Sequence, residues 1–253
     1  MQLSAIEELT DARMPTGLGG RWYGVYPGLV SDIKDPDGQG RVKVTLPWAP
    51  DTGAANYETW ARVATLMGGN NRGSWFIPDK DDEVLVAFEG GDPGHPYVLG
   101  GLWNGPDKAP ESMDAAGRNF KKVIRSRNGV KITLDDQDGQ EQLILETPGG
   151  QKATLKDGPG SIEIIDSNGN SIKLEPSGVS ITAAAKMTLT ANVVEIAAST
   201  VTVNAGTTTV TGPLIGSVSV QTPSVIGATY TPGAGNICVL NHAFLQPDHP
   251  VHF

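Results

Sequence analysis

From Val130 onward the sequence repeats itself. Units of alternating apolar and polar residues recur as GVKITLD, EQLILET, QKATLK, SIEIID, SIKLE, GVSIT, KMTLT, VVEIA, TVTVN and TTTV. Their last apolar positions fall at Leu145, Leu155, Ile164, Leu174, Ile181, Leu189, Ile196, Val203 and Val210, so the step shortens from nine or ten residues to seven or eight. A short repeat of this kind specifies a stack of β-strands in which each unit buries its apolar face only against neighbours. Two or three Val, Ile or Leu side chains per unit cannot close a core, and a lone hairpin is marginal in water. The missing surface is expected from further copies of the chain wound together, with Val179, Ile181, Leu189, Ile196, Val203 and Val210 lining the interior of the stem.

Charge thins along the same stretch. The units before Glu175 carry Lys, Glu and Asp at wet positions, whereas from Met187 to the C-terminus only Glu195 and Asp248 are charged and Thr and Ser take over. β-branched Thr favours extended backbone, and hydroxyls cost less to desolvate than Lys or Glu. A charge-poor, Thr-lined end suits an object that must pass through a lipid bilayer.

Composition excludes other classes. With 32 Gly and 18 Pro in 253 residues and no long 3.6-residue apolar period, the chain reads as all-β. A net charge of -9 opposes phosphate contacts, so nucleic acid is not an expected partner. Cys238 is the only cysteine, which leaves no disulfide framework. The N-terminal MQLSAIEELTDARMP has acidic residues and lacks the apolar core of a signal peptide, so maturation in the cytoplasm is expected. No stretch approaches the ~20 apolar residues of a membrane helix.

Ahead of the repeats the pattern differs. Residues 1–20 form a tail with one helical candidate, Ser4 to Arg13, followed by a Gly-rich stretch. Residues 21–104 read as five strands separated by turn signals. Val42, Val44 and Leu46 alternate with Arg41, Lys43 and Thr45, and TWARVAT, DEVLVAFEG and YVLGGLWN follow between glycine-rich loops, which suits a small closed barrel of the OB type. Residues 105–128 lose the alternation and read as a linker, 129–237 as the repetitive stem and 238–253 as its tip.

The segments GRVKVTLPW (Gly40–Trp48), WARVAT (Trp60–Thr65), GSWFIPDKDDEVLVAFEGGDP (Gly73–Pro93) and HPYVLGGLWN (His95–Asn104) resemble, in order and spacing, the phage baseplate assembly protein V family. This is the OB domain shared by contractile-tail spikes and the VgrG proteins of type VI secretion. The C-terminal repeats are similar to the intertwined trimeric β-helix or β-prism of the same proteins. The resemblance implies a homotrimer whose barrels form a collar on a separate hub and whose stems intertwine into a needle. A contracting sheath would drive that needle through the target membrane, in the baseplate of a phage, a tailocin or an extracellular injection particle. It implies no enzymatic activity: residues 105–128 are too short for the lysozyme domain of some phage spikes, and the large hub domain of VgrG proteins has no counterpart.

The tail CVLNHAFLQPDHPVHF gathers His242, His249 and His252 close to Cys238 and Asp248. A threefold axis triples every ligand, so His249 and His252, with His242 as a further candidate, could complete an iron or zinc site at the tip. The family's apical iron uses a His-x-His pair, and the spacing His249-Pro-Val-His252 departs from it. A capped apex that protects open strand edges, or docking of a separate tip protein of the PAAR type, remain as alternatives. Asp35, Asp37 and Gly38 give half a calcium loop and read as a turn; Asp79, Asp81, Asp82 and Glu83 read as a solvated turn, and His95 as a turn residue. Gly68, Gly69 and Gly73 lack the lysine and helix of a phosphate cradle. Trp48, Trp60, Trp75 and Trp103 are expected in the barrel core and at trimer contacts. Two other functions fit a stem of this kind: a tail-fibre-like adhesin and a metal-dependent hydrolase at the tip.

Overall fold

The computed structural model describes residues 21–49, 56–213 and 215. The tail with its helical candidate, and Cys238, His242, His249 and His252, lie outside the described residues. The chain divides into two units, Met1–Leu189 and Thr190–Phe253.

The first unit begins with β1 (Val25–Asp32), β2 (Val42–Leu46), β3 (Tyr57–Val63), the two-residue strands β4 (Gly68–Gly69) and β5 (Arg72–Gly73), β6 (Glu83–Phe88) and β7 (Pro96–Gly101). Five of them close a barrel in the order β1-β2-β3-β7-β6, with β6 returning to β1 and only the β3–β7 pair parallel. This is the expected five-stranded OB-type barrel. Period-2 alternation produces its core: Val42, Val44 and Leu46 from β2 and Val84 and Val86 from β6 point inward and are fully buried, as are Ala61 and Val98. β1 crosses the core at Gly28, where a Cβ would lie 3.1 Å from Leu46 Cδ2 and 3.2 Å from Val86 Cγ2.

Trp22, just ahead of β1, closes one end of the barrel. Its ring meets Trp48, Tyr57 and Phe88 edge-on at centroid distances of 5.1, 5.2 and 5.1 Å. This edge-to-face arrangement suits the aromatic quadrupole. The Trp22 backbone N–H donates to the Gly91 carbonyl at 2.7 Å, and Trp48 Nε1 donates to the Pro27 carbonyl at 2.7 Å. Trp75 and Trp103, expected in the core or at trimer contacts, are 76% and 73% exposed and are therefore not barrel core. Both lie beyond the ends of barrel strands, where alternation does not turn a side chain inward.

The stem begins with β8 (Lys121–Arg125), β9 (Lys131–Asp135), β10 (Gln142–Glu146), β11 (Lys152–Lys156), β12 (Ser161–Ile165), β13 (Ser171–Glu175) and β14 (Gly178–Thr182). They form one antiparallel sheet in strict chain order. Tight turns join them. At Gly150 and Gly169 the backbone takes φ of 87° and 86°, a left-handed conformation that glycine adopts without strain. β8 falls inside the stretch expected as linker. KKVIR places Val and Ile side by side between charged residues, so it shows no alternation, and five-residue pairing with β9 makes it a strand.

Strand pairing stops at Thr182. Among the described residues, 183–213 and 215 carry no strand, although KMTLT, VVEIA, TVTVN and TTTV continue the repeat. An extended segment becomes a strand only when a neighbour satisfies its N–H and C=O groups, and among the described residues these units have no ladder partner.

Candidate functional site

Because each stem strand alternates, the register sorts the side chains of the sheet onto two faces. Across one face run two rows of directly opposed apolar residues. The first is Leu134, Leu143, Leu155, Ile162, Leu174 and Val179; the second is Ile124, Ile132, Leu145, Ala153, Ile164, Ile172 and Ile181. Among the described residues nothing covers them. Leu143 and Ala153 are half-buried, and the rest are exposed, from 37% at Ile132 to 68% at Val179. Soluble proteins rarely leave a contiguous apolar surface of this extent open, and such a surface marks an interface.

The opposite face is polar. Its central row is Val123, Thr133, Ile144, Thr154, Glu163, Lys173 and Ser180, with Thr133 buried between Val123 and Ile144. Beside it Lys131 and Glu146 stand directly opposite one another, 2.7 Å apart, and the Lys131 ammonium holds the Glu146 carboxyl below its usual range. In the turn between β12 and β13, hydrogen bonds from the Asn170 side chain and backbone hold the Asp166 carboxyl down at about 2.

Of the residues expected in the stem interior, Val179 and Ile181 sit on the apolar face of β14. Leu189, Ile196, Val203 and Val210 lie past the last paired strand and are 68%, 68%, 67% and 54% exposed.

The acidic clusters are committed to structure. Asp35 accepts hydrogen bonds from the backbone N–H groups of Asp37, Gln39 and Arg41, and its Oδ1 pairs with Arg41 Nη2 at 2.6 Å. The Arg41 guanidinium and these amides keep the Asp35 carboxyl far below its ordinary range. With its oxygens filled by N–H donors, the loop is a turn and not half of a cation cage. Asp79 pairs with Arg127 at 2.8 Å, Asp82 accepts the Asp79 N–H at 2.8 Å, and Glu83 accepts from Asn104 Nδ2 at 2.8 Å. His95 faces Asp92 across an exposed turn at 3.2 Å. Gly68 and Gly73 pair in the β4–β5 hairpin. Among the described residues no group of three or more His, Cys, Asp or Glu converges as a metal site. No described helix is long and apolar enough to cross a membrane.

The residue that the sequence hid is Trp22. It lies outside any alternating run, and its only signal was an aromatic residue immediately before the first strand. Trp60, by contrast, lies under the Arg41 and Lys43 side chains on the barrel exterior, with the cations 5.7 and 5.3 Å from its ring centre.

Residues 26–103 match the type VI secretion system/phage-baseplate injector OB domain, and residues 142–209 match the phage baseplate V C-terminal trimerisation domain. Among curated proteins the chain is similar to the type VI secretion system spike protein VgrG1b of Pseudomonas aeruginosa, 34% identical over 46% of this chain and 16% of the relative. It is also similar to the spike protein VgrG3 of Vibrio cholerae, 32% identical over 46% of this chain and 13% of the relative, and to the actin cross-linking toxin VgrG1 of the same species, 27% identical over 46% and 12%. The match thus spans less than a fifth of the length of these relatives. An injector OB domain followed by a trimerisation domain, on an all-β fold whose apolar sheet face is left open among the described residues, places the chain among the phage baseplate V and VgrG-type spike proteins.

Proposed function

We propose that this chain is the structural spike of a contractile injection system: a homotrimer that sits on a separate hub and pierces the target membrane when a sheath contracts. The observation that carries the reading is the uncovered apolar face of the stem sheet. Geometry favours three copies. Five-residue strands at ~3.4 Å per residue make a wall about 17 Å wide. Three such walls enclose a triangle whose centre lies about 5 Å from each, half the ~10 Å at which sheets pack face to face. Four walls would leave a void at the centre, and two would leave their edges open. The units from Met187 to Val210 would gain their missing ladder partners from the other two copies, with Leu189, Ile196, Val203 and Val210 turned to the axis. Catalysis has no part in this mechanism. The pierce-and-pass role draws on the loss of charge beyond Met187, and the tip is assigned to Cys238, His242, His249 and His252.

Sedimentation equilibrium of the purified chain tests the reading. A single species of roughly 80 kDa, three times the 26.5 kDa chain, is expected at micromolar concentration. A monomer or dimer overturns it. Loss of particle-driven dye release from lipid vesicles, with trimer formation intact, on placing Lys at Thr202 and Thr208 would support the piercing role. Unchanged release would count against a charge-poor tip.

A further inference from the structure

The meander puts its turns on two edges. One edge carries the turns between β9 and β10, β11 and β12, and β13 and β14; the other carries those between β8 and β9, β10 and β11, and β12 and β13. The edges differ in charge. The first presents Asp135, Asp136, Asp138, Glu141 and Asp157, relieved by Lys121, Lys122 and Lys156. The second presents Arg125, Arg127, Lys131 and Lys152, relieved by Glu146 and Asp166. Part of this charge is already paired within the chain: Lys122 with Asp136 at 2.7 Å, Lys131 with Glu146 at 2.7 Å, Arg127 with Asp79 at 2.8 Å, and Asp166 with the Asn168 and Asn170 side chains.

Resting on the threefold reading above, we propose that these edges mate head to tail between neighbouring copies, and that Asp157 of one copy meets Lys152 of the next. Contacts between unlike surfaces close into a ring when the rotation brings the last copy back to the first, and a closed ring has no axial rise. With strands lying across the threefold axis, each strand then ends level with the start of the same strand in its neighbour. β11 begins at Lys152 on the second edge, and Asp157 follows its last residue, Lys156, on the first. β9 repeats the arrangement, with Lys131 at its start and Asp135 and Asp136 at its finish. Within one chain Lys152 and Asp157 stand a strand apart, about 17 Å at ~3.4 Å per residue, so they cannot pair there. Among the described residues neither side chain is in an ion pair, although Lys152 stands opposite Glu146 across the β10–β11 ladder, where Glu146 itself is paired with Lys131. Opposite charges at both ends of a strand select this level over a slipped one, because a one-strand slip sets Asp157 against Glu146 or Asp166.

Proximity labelling of the full chain tests the contact. With Cys238→Ser as background, Lys152→Cys combined with Asp157→Cys should give covalent trimers on a denaturing gel after treatment with a short bismaleimide. Each single cysteine should remain monomeric. Sedimentation separates the two ways of failing: a native trimer that gives no covalent species overturns the edge contact alone, whereas a monomeric chain overturns the threefold reading and this inference with it. Exchanging the charges supplies a second measurement. Lys152→Asp and Asp157→Lys should each lower the thermal midpoint of the trimer at low salt, and the double exchange should recover most of the loss. Purely additive losses would overturn the pairing.

Discussion

Replacing Ile172 with Asp places a carboxylate in the middle of the second apolar row, between Ile164 and Ile181. In one chain the Ile172 side chain is 41% exposed, so assembly has that share left to bury. At about 1.5–3 kcal/mol for a fully buried Ile, this comes to about 0.6–1.2 kcal/mol per copy. Losing it would weaken a trimer without abolishing it. The charge matters more, because desolvating a carboxylate costs several kcal/mol, incurred three times around one axis with mutual repulsion added. The expected total exceeds ~10 kcal/mol per trimer, enough to leave Ile172→Asp monomeric at micromolar concentration. Sedimentation velocity reads the outcome, with two controls. Ile172→Ala should remain largely trimeric, and Ser180→Asp, on the polar face of the adjacent strand, should be fully trimeric. Near-ultraviolet circular dichroism from the Trp22 cluster should be unchanged in all three, since the barrel is untouched. Acidification should restore the Ile172→Asp trimer, because burial favours the neutral carboxyl. A monodisperse Ile172→Asp trimer at neutral pH would refute the assignment of this face to the assembly interior.

Two further predictions concern a single chain. Gly28→Val should destabilise the barrel by about 1–3 kcal/mol in urea titration, since its branched side chain must enter a space where even a Cβ sits 3.1 Å from Leu46 and 3.2 Å from Val86. The Asp166 carboxyl is held down from 3.8 to about 2 in the folded chain, so its contribution to stability is complete above the unfolded value and disappears as pH falls through that interval. Asp166→Ala should accordingly show a shallower loss of urea midpoint between pH 4 and pH 2 than the parent chain, and parallel acid limbs would refute the linkage.

The barrel was legible because its strands obey a single rule. Val42, Val44 and Leu46, then Val84 and Val86, alternate into one core, and the turn residues between runs mark where each strand ends. Trp22 is silent in the sequence because a single aromatic before a strand has no period to mark it. The stem is a different case. Its apolar alternation predicts an interior, and as far as Thr182 the register gathers the apolar residues on one face, but among the described residues that face is left open. Sequence pattern reports which face wants burial; it does not report whether the chain itself supplies the cover. The same limit explains why, among the described residues, the repeats beyond Thr182 find no strand partner. In the sequence Asp35 is an ordinary turn residue, whereas its role depends on the Arg41 guanidinium arriving from the far side of the loop.

Every strand of the stem sheet pairs with the one next to it in the chain. Such a wall has low contact order, and its ladders can zip up hairpin by hairpin without waiting for distant segments. The slow step is then bimolecular, the meeting of chains whose walls are already drawn but still sticky. Yield should therefore depend on how quickly three nascent copies find one another before other apolar surfaces do, a requirement that synthesis from neighbouring ribosomes on one message would meet.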